Sequence, residues 1–202
     1  MDRPSTREWW VGVTAGVALA VVVVAVTMGA PGLDEESGHH LDRAPGDPGE
    51  TAVEYDGETV TSSAIEGAII EALDEQRHVY GLDPLQENDT IASVARAHSQ
   101  DMVEQSYVGH ESPEGEDPMD RSTVVTDDCS LYGETIATTY LSVGENPTAV
   151  AEEVVDEWMD SPDHADTILE VDQSGGWDRA GVGVVLEEDG SVTVTANFCH
   201  RE

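Results

Sequence analysis

Apolar residues recur at helical spacing in three segments of the chain after residue 60. The first segment opens with Ser63-Ala-Ile-Glu66, which has the S-x-x-E form of a capping box. Ile65, Ile69 and Leu73 then follow one turn apart, and Gly81 marks the end of the pattern. The spacing predicts a first helix that ends before Gly81.

The second segment begins at Asp89, and the third begins at Asn146-Pro147, a capping residue followed by a proline ring already set at a helical φ. Each segment presents one apolar face. In the second helix that face includes His98, which we therefore predict to be a core histidine. In the third helix it includes Trp158, which we predict to serve packing, and Pro162 ends the helix.

The hydrophobic period changes to two near the end of the chain. Apolar residues alternate from Ala180 to Leu186 and again from Val192 to Phe198, and Asp189-Gly190 between them supplies a turn. This pattern predicts a C-terminal β-hairpin, and Thr135 to Leu141 is a further predicted strand. Because helices come mostly first and strands mostly last, we expect an α+β domain with an antiparallel sheet.

The N-terminal part of the chain has a different character. Trp9 to Ala30 is a run of 22 residues without a charge, which as a helix would be about 33 Å long and long enough to cross a bilayer. Arg3 and Arg7 lie before this run, and acidic residues follow it. Basic flanks stay on the cytoplasmic side, so residues 1–8 are expected in the cytoplasm and the C-terminal domain outside the cell. A cleaved signal peptide, which would make the protein secreted, is the rival interpretation.

Residues 31–58 are rich in proline, glycine and acidic side chains and poor in apolar ones. This composition predicts a disordered, solvated linker. The folded domain is then expected over residues 59–202. At 202 residues the whole chain has room for one such domain and its accessory segments.

Charge narrows the classes of partner. Asp and Glu number 43 against 8 basic residues, all of them arginine, for a formal net charge of −35. Phosphate backbones and anionic lipid surfaces are bound by Lys and Arg, so a nucleic-acid partner is excluded and direct adsorption to anionic lipid is disfavoured. Concentrated salt would screen the self-repulsion of such a chain, and we expect a halophilic, archaeal source. A dedicated cationic or metal-ion partner is the alternative.

Two cysteines are present, Cys129 and Cys199. The expected outward topology places them where disulfides persist, and bonding them would stabilise the fold by roughly 4 kcal/mol in the chain-entropy estimate. Two free thiols in a reducing compartment are the alternative. No C-x-x-C pair supports a redox role.

Imidazoles and carboxylates gather in four stretches that could carry chemistry, two of which, Trp158-Met-Asp-Ser161 and Pro162-Asp-His164, lie at the end of the third helix. His110 lies in a turn-rich loop after the second helix, Glu134 opens a strand, and His164 follows Pro162. Ligands of these types, far apart along the chain, are what an open Zn²⁺ site requires. The residues alone also allow a purely structural interpretation. In it, His110 caps a helix, Glu134 accepts hydrogen bonds from backbone amides and His164 orients a turn.

The order of seven short motifs resembles the CAP superfamily, which includes cysteine-rich secretory proteins, antigen 5 and plant pathogenesis-related class 1 proteins. The chain is most similar to the prokaryotic SCP-like branch over about residues 65–199. The motifs are GLDPL at 81–85, ARAHSQDM at 95–102, YVGHESPEG at 107–115, GETIA at 133–137, WMDSPDH at 158–164, GVGVVLEEDG at 181–190 and TANFC at 195–199.

The resemblance implies a three-layer α-β-α sandwich with a shallow cavity lined by two histidines and two acidic residues, often binding metal. His110, Glu134 and His164 match three of these positions and are the expected metal ligands, with Zn²⁺ or another divalent cation as the expected cofactor. Ser161 stands where the eukaryotic pattern has Glu. Asp160 and Asp163 are neighbouring carboxylates that would replace it.

Two functions follow as hypotheses. The first is a membrane-tethered extracellular module, without catalysis, that binds a cell-envelope ligand, lipid or protein. The second is a metal-dependent hydrolase of peptides or esters in which the metal activates water. A third idea, Ser161 as a nucleophile beside His164, lacks the G-x-S-x-G elbow.

Overall fold

The folded part of the chain alternates short strands with helices before it closes on a long hairpin. The structure is a computed structural model that describes residues 41–55, 57–125, 129–142, 145–170 and 176–201. The strands are β1 (Ala52–Tyr55), β2 (Glu58–Thr61), β3 (Gln86–Glu87), β4 (Leu131–Tyr140), β5 (Arg179–Leu186) and β6 (Ser191–His200). The helices are α1 (Ser62–Val79), α2 (Asp89–Gln105), α3 (Pro118–Thr123), α4 (Pro147–Asp160) and α5 (Pro162–Leu169).

The main sheet has four strands in the order β3-β5-β6-β4. The predicted hairpin is confirmed: β5 pairs antiparallel with β6, and Gly190 in the turn between them has a φ of +88°. The predicted third strand is confirmed as β4, which is longer than expected and pairs antiparallel with β6. The sheet is not wholly antiparallel, however, because the two-residue strand β3 runs parallel to β5. A pairing this short leaves no periodic pattern in the sequence.

Helices cover both faces of this sheet. Because successive strand residues point to opposite faces, Val182 and Val184 face one side and join the main core with α1, α4 and α5. Gly181 and Gly183 face the other side, where α2 lies. The α+β arrangement is therefore confirmed, with helix, sheet and helix as three layers. Trp158 is fully buried in the core, as predicted.

The helix starts follow the predicted caps with one exception. Asn88 and Asn146 accept hydrogen bonds from the backbone at the starts of α2 and α4, and Pro147 occupies the first turn of α4. At α1 the capping residue is Thr61, and the capping box predicted at Ser63 and Glu66 does not form. The Glu66 carboxylate instead accepts hydrogen bonds from the backbone N–H of Val184 at 3.0 Å and from Arg96 at 2.9 Å.

That departure has a structural cause at the edge of the sheet. β3 pairs with β5 only at Arg179 and Ala180, so the outer edge of β5 is open beyond that point. Glu66 accepts from Val184 there, and the Thr51 hydroxyl accepts from the N–H of Leu186 at 3.0 Å. A buried strand edge needs such partners, and a local helix motif cannot reveal the requirement.

The linker predicted over residues 31–58 is corrected for the part that the structure describes. Residues 41–55 pack on the domain, and β1 pairs with β2 as a separate antiparallel hairpin. The backbone N–H of Ala44 donates to the Ser93 hydroxyl at 2.9 Å, and Arg96 bonds to Asp47 at 3.3 Å. Specific hydrogen bonds to α2 therefore order a segment whose composition is typical of a solvated tether.

A short helix that was not predicted follows α4. Pro162 ends α4 as expected, but it also stands at the first position of α5, where a proline ring is favourable. His164 therefore lies on a helix rather than in a turn. The predicted disulfide is confirmed and joins Cys129 to Cys199 on β6, 70 residues apart.

The expected membrane anchor at residues 9–30 and its flank at residues 1–8 lie outside the described residues. Within the residues described, none of the helices combines the length and the apolar character that crossing a bilayer requires.

Candidate functional site

A buried carboxylate on the edge strand organises the candidate site. Glu134 lies on β4 and is paired in register with Asn197 of β6. Asn197 is in turn opposite Gly181, so Glu134 faces the α2 side of the sheet. Its side chain is only 1% exposed. A charge buried to this degree needs partners, and the structure supplies three close cationic or imidazole groups.

His110 is the first partner. The loop that carries it follows α2, which ends at Ser106 in the left-handed conformation. His110 Nδ1 lies 2.9 Å from Glu134 Oε1. Because a carboxylate only accepts hydrogen bonds, Nδ1 carries the hydrogen and donates it. The ring is 48% exposed, and the nitrogen not engaged by Glu134, Nε2, is left to meet a ligand.

Arg121, on α3, is the second partner and was not predicted. Its Nη2 atom donates to both oxygens of Glu134, at 3.0 and 3.1 Å, and to the backbone carbonyl of His110 at 2.8 Å. Its Nη1 atom donates to the carbonyl of Glu116 at 2.9 Å. One guanidinium thus neutralises the buried carboxylate and fixes the loop that presents His110.

His98 is the third group near the carboxylate. It is fully buried on α2, as the sequence predicted for a core histidine, yet its Nε2 atom also lies 3.7 Å from Glu134 Oε1. The same nitrogen is 3.0 Å from the Gly109 carbonyl and donates to it. Burial lowers the pKa of His98, although the nearby Glu134 charge opposes the shift. His98 is therefore a neutral group that holds the loop before His110.

The His110–Glu134 pair forms one wall of an open cleft of about 320 Å³. We call it the His110 cleft; its other lining residues are Asp117, Pro118, Met119 and Tyr132. Burial raises the pKa of Tyr132 well above its ordinary value, and the Glu134 charge adds to the rise. The phenol is therefore protonated and serves as a polar, uncharged part of the wall.

The third residue of the predicted metal set makes no direct polar contact with this cluster in the described part of the chain. His164 lies on α5, and within the described part of the chain no hydrogen bond or ion pair joins it to His110 or Glu134. Its Nδ1 atom is buried without a partner among those residues. Asp160 and Asp163, the carboxylates considered in place of a fourth ligand, are both exposed.

The donors at Glu134 do not fit a divalent cation as they are arranged. An open zinc site needs three protein ligands, and within the described residues a hydrogen bond joins only two members of the predicted set, His110 and Glu134. Both carboxylate oxygens are engaged by the Arg121 guanidinium, whose positive charge would repel a second cation at the same oxygens. Across the described ranges, no group of three or more His, Cys, Asp or Glu side chains is placed to hold a metal ion.

The comparisons with known proteins agree with this fold. The family described as "CAP: Cysteine-rich secretory protein family" matches residues 70–198, which is more than half of the chain. The chain belongs to the CAP family. The sheet between helical layers is thus that of a CAP domain, also called an SCP domain.

Three bacterial proteins are similar to this chain. The uncharacterized protein YkwD of Bacillus subtilis (strain 168) is 34% identical over 133 residues, which are 64% of this chain and 45% of YkwD. The chain therefore spans less than half the length of that relative. An extracellular protein containing a SCP domain from Bacillus anthracis str. Ames is 25% identical with a TM-score of 0.55, over 69% of this chain and 41% of that chain.

The third relative, an outer surface protein from Borrelia burgdorferi, has a TM-score of 0.57 at 22% identity. The match covers 68% of this chain and 93% of that chain, and at this identity it supports the fold alone.

Sequence reasoning found two of the residues that meet at the site, His110 and Glu134, and missed Arg121. One signal was present: the chain has only 8 basic residues, so each arginine within the CAP domain is a strong candidate partner for a buried carboxylate. His98 was predicted to be buried but not to lie near Glu134. The apolar face of a helix indicates which residues are buried, but it does not indicate which residues they contact.

Proposed function

We propose that the protein is a membrane-tethered, extracellular CAP-domain module that binds a cell-envelope ligand, lipid or protein without catalysing a reaction. The apolar run at residues 9–30 supports the tether. The disulfide is typical of an oxidising compartment. A related SCP-domain protein of Bacillus anthracis is described as extracellular, which supports the same location for this chain.

The observation that carries the proposal is the engagement of both Glu134 oxygens by Arg121. A general base or a metal ligand needs an oxygen free to take a proton or a cation, whereas both oxygens of this carboxylate accept bonds from Arg121 and one also accepts from His110. Such a cluster is suited to keeping one wall of the His110 cleft rigid. His110 and Met119, both exposed in that wall, supply an imidazole nitrogen and an apolar contact for a bound partner.

The competing function is a metal-dependent hydrolase of peptides or esters at the same cleft. It requires Arg121 to leave Glu134 and His164 to join His110. The test is the melting temperature of the full chain with added Zn²⁺ or Mg²⁺, because a ligand that binds only the folded form raises it. We expect no shift beyond that of the variant His110→Ala with His164→Ala.

A larger shift for the wild type than for that variant would contradict the proposal and favour the metal site. Turnover of peptide or ester substrates that the double substitution abolishes would then establish the hydrolase. Substitution of Arg121→Gln sharpens the test: if the guanidinium excludes the metal, its removal creates a shift that the wild type lacks.

Partner binding is tested with cell-envelope extracts of the source organism and the full chain as bait. We expect His110→Ala to lose components that the wild type retains, because this substitution removes the exposed ring from the His110 cleft. His78→Ala is the matched control, since His78 is an exposed histidine on α1 and does not line the cleft. Identical retention by all three proteins would refute the cleft as the binding surface.

We also propose that the acidic surface is an adaptation to concentrated salt. The net charge of −35 supports this, and the exposed side of α4 alone carries Glu152, Glu153, Asp156 and Glu157. Like charges at this density repel unless salt screens them within about 10 Å at 0.1 M and less at higher ionic strength. The fold is expected to lose stability as salt is diluted. A melting temperature independent of salt would contradict the proposal and favour a dedicated cationic partner.

A further inference from the structure

The side chains of Arg121 and His98, which approach Glu134, also line a second cavity. It has a volume of about 210 Å³ and lies between the segment around Ala44, the helix α2 and the end of α3. Its apolar wall includes Ala44, Val94 and Ala97, and we call it the Ala97 pocket. At about 30 Å³ for each water molecule, it has room for about seven water-sized groups, which suits a small ligand.

Two side chains that line this pocket leave a buried polar atom unpaired. His98 is 0% exposed and Arg121 is 10% exposed at the side chain. Within the described residues, neither His98 Nδ1 nor Arg121 Nε has a hydrogen-bond partner. An orphaned polar atom at this depth is costly. Of the ten such atoms in the described residues, these two belong to side chains that line the same pocket.

The two unpaired atoms, His98 Nδ1 and Arg121 Nε, have opposite hydrogen-bonding roles. His98 Nε2 donates to the Gly109 carbonyl, so in the neutral ring Nδ1 is an acceptor. Burial lowers the pKa of His98, which favours that neutral ring. Arg121 Nε is a donor only. A hydroxyl group both donates and accepts, so a single hydroxyl in the Ala97 pocket has the functions needed to satisfy both atoms.

The charged residues that line the pocket determine which charge a ligand can carry. Arg121 is the cation of the lining, and Glu134 already neutralises it. Asp101, Glu104 and Glu116 also line the pocket, and the last two are exposed, which places them at its mouth. Anionic ligands are therefore repelled, and an ammonium group is attracted to the mouth.

We propose that the Ala97 pocket binds a small amino alcohol, with its hydroxyl at His98 and Arg121, its short apolar body along Ala97, and its ammonium group near Glu104 and Glu116. The site is separate from the His110 cleft, and its existence does not depend on the function proposed for that cleft. Because Arg121 also bonds to Glu134, occupancy of the pocket would stabilise the position of that carboxylate as well.

The probe is 4-amino-1-butanol, titrated at millimolar concentration into the full chain by calorimetry, at a salt concentration where the chain is folded. 1-Butylamine lacks the hydroxyl and 1-butanol lacks the ammonium group, so each is expected to bind about tenfold more weakly or worse. 4-Hydroxybutyrate, with a carboxylate in place of the ammonium group, is expected not to bind.

Two further measurements locate the binding. In protein labelled with ¹⁵N-histidine, the probe is expected to shift the Nδ1 resonance of His98, assigned with the variant His98→Gln. Ala97→Leu fills the pocket and is expected to abolish binding, while Ala64→Leu, at an exposed position of α1, is the matched control and should leave binding unchanged.

The absence of saturable binding would overturn the proposal and mean that solvent alone fills the pocket. Binding without a shift at His98 Nδ1 would overturn it as well, and this measurement uses the wild type and does not depend on the folding of any variant. Equal binding by wild type and folded Ala97→Leu, or binding of 4-hydroxybutyrate as tight as that of the probe, would also refute it.

Discussion

Replacing Gly183 with alanine tests the contact between α2 and the sheet. Gly183 lies on β5 on the face that α2 covers, and no side chain separates the two backbones. A Cβ atom built at this position would lie 2.0 Å from the backbone nitrogen of Arg96 and 2.2 Å from the carbonyl carbon of Ala95. Both neighbours are helix backbone, which cannot rotate away as a flexible side chain does.

The size of the effect follows from these distances. The optimal separation of two non-bonded carbon atoms is about 3.5–4.0 Å. To reach it, α2 would have to move away from the sheet by more than about 1 Å. The retreat weakens the bonds of the Ser99 hydroxyl to the Gly183 carbonyl and to Thr195, each 2.9 Å long. Overpacking by a single group costs about 1–3 kcal/mol and more where backbone must move. We expect a loss of about 3 kcal/mol or more.

Thermal and urea denaturation of the purified chain measure this loss. For a chain of this size, 3 kcal/mol corresponds to a fall of about 6–12 °C in melting temperature. Gly67→Ala is the control, because Gly67 is within α1 and an added Cβ meets nothing within 4 Å. That substitution should stabilise the protein by up to about 1 kcal/mol through helix propensity.

The reasoning is refuted if Gly183→Ala unfolds within about 1 kcal/mol of the wild type while Gly67→Ala behaves as expected, because α2 would then not rest on the strand backbone. A loss of similar size in both variants would equally remove the explanation, since it would point to a general intolerance of alanine at glycine positions.

Two other predictions concern the disulfide and pH. Opening the Cys129–Cys199 bond, as Cys129→Ser with Cys199→Ser, should lower the free energy of unfolding by about 4 kcal/mol for a loop of 70 residues; an unchanged urea midpoint would contradict this. Because burial lowers the pKa of His98 in the folded chain, the unfolded chain takes up this proton first as the pH falls below about 6.5. The free energy of unfolding should therefore decrease from pH 7 to pH 5, and His98→Gln should remove part of that slope; equal slopes would argue against a neutral, buried imidazole.

The pattern of apolar residues was sufficient to predict α1, α2, α4 and the C-terminal hairpin, because each of these elements buries one face and so imposes its own period on the sequence. It was insufficient for β3 and α5. β3 has two residues and α5 has eight, and elements so short carry too little of the repeating pattern that would identify them.

The same limit explains the linker. Proline, glycine and acidic residues around Asp47 are typical of a solvated segment, but their average composition does not record single contacts. The Arg96 side chain donates a hydrogen bond to Asp47, and the Ser93 hydroxyl accepts one from the backbone N–H of Ala44. Each of these two bonds crosses 49 positions of the chain, and their partners are recognisable only when α2 is in place.

By itself, the sequence determined the secondary structure of the long elements, the acidic character, the membership of the CAP family, and the two cysteines available for pairing. All of these depend on residue types at short or regular separations. The tertiary structure alone decided which charges meet. Arg121 and Glu134 are 13 positions apart and on different elements, and their pairing neutralises a carboxylate that was expected to bind a cation. How side chains converge depends on how the helices pack against β4, and no local pattern encodes that packing.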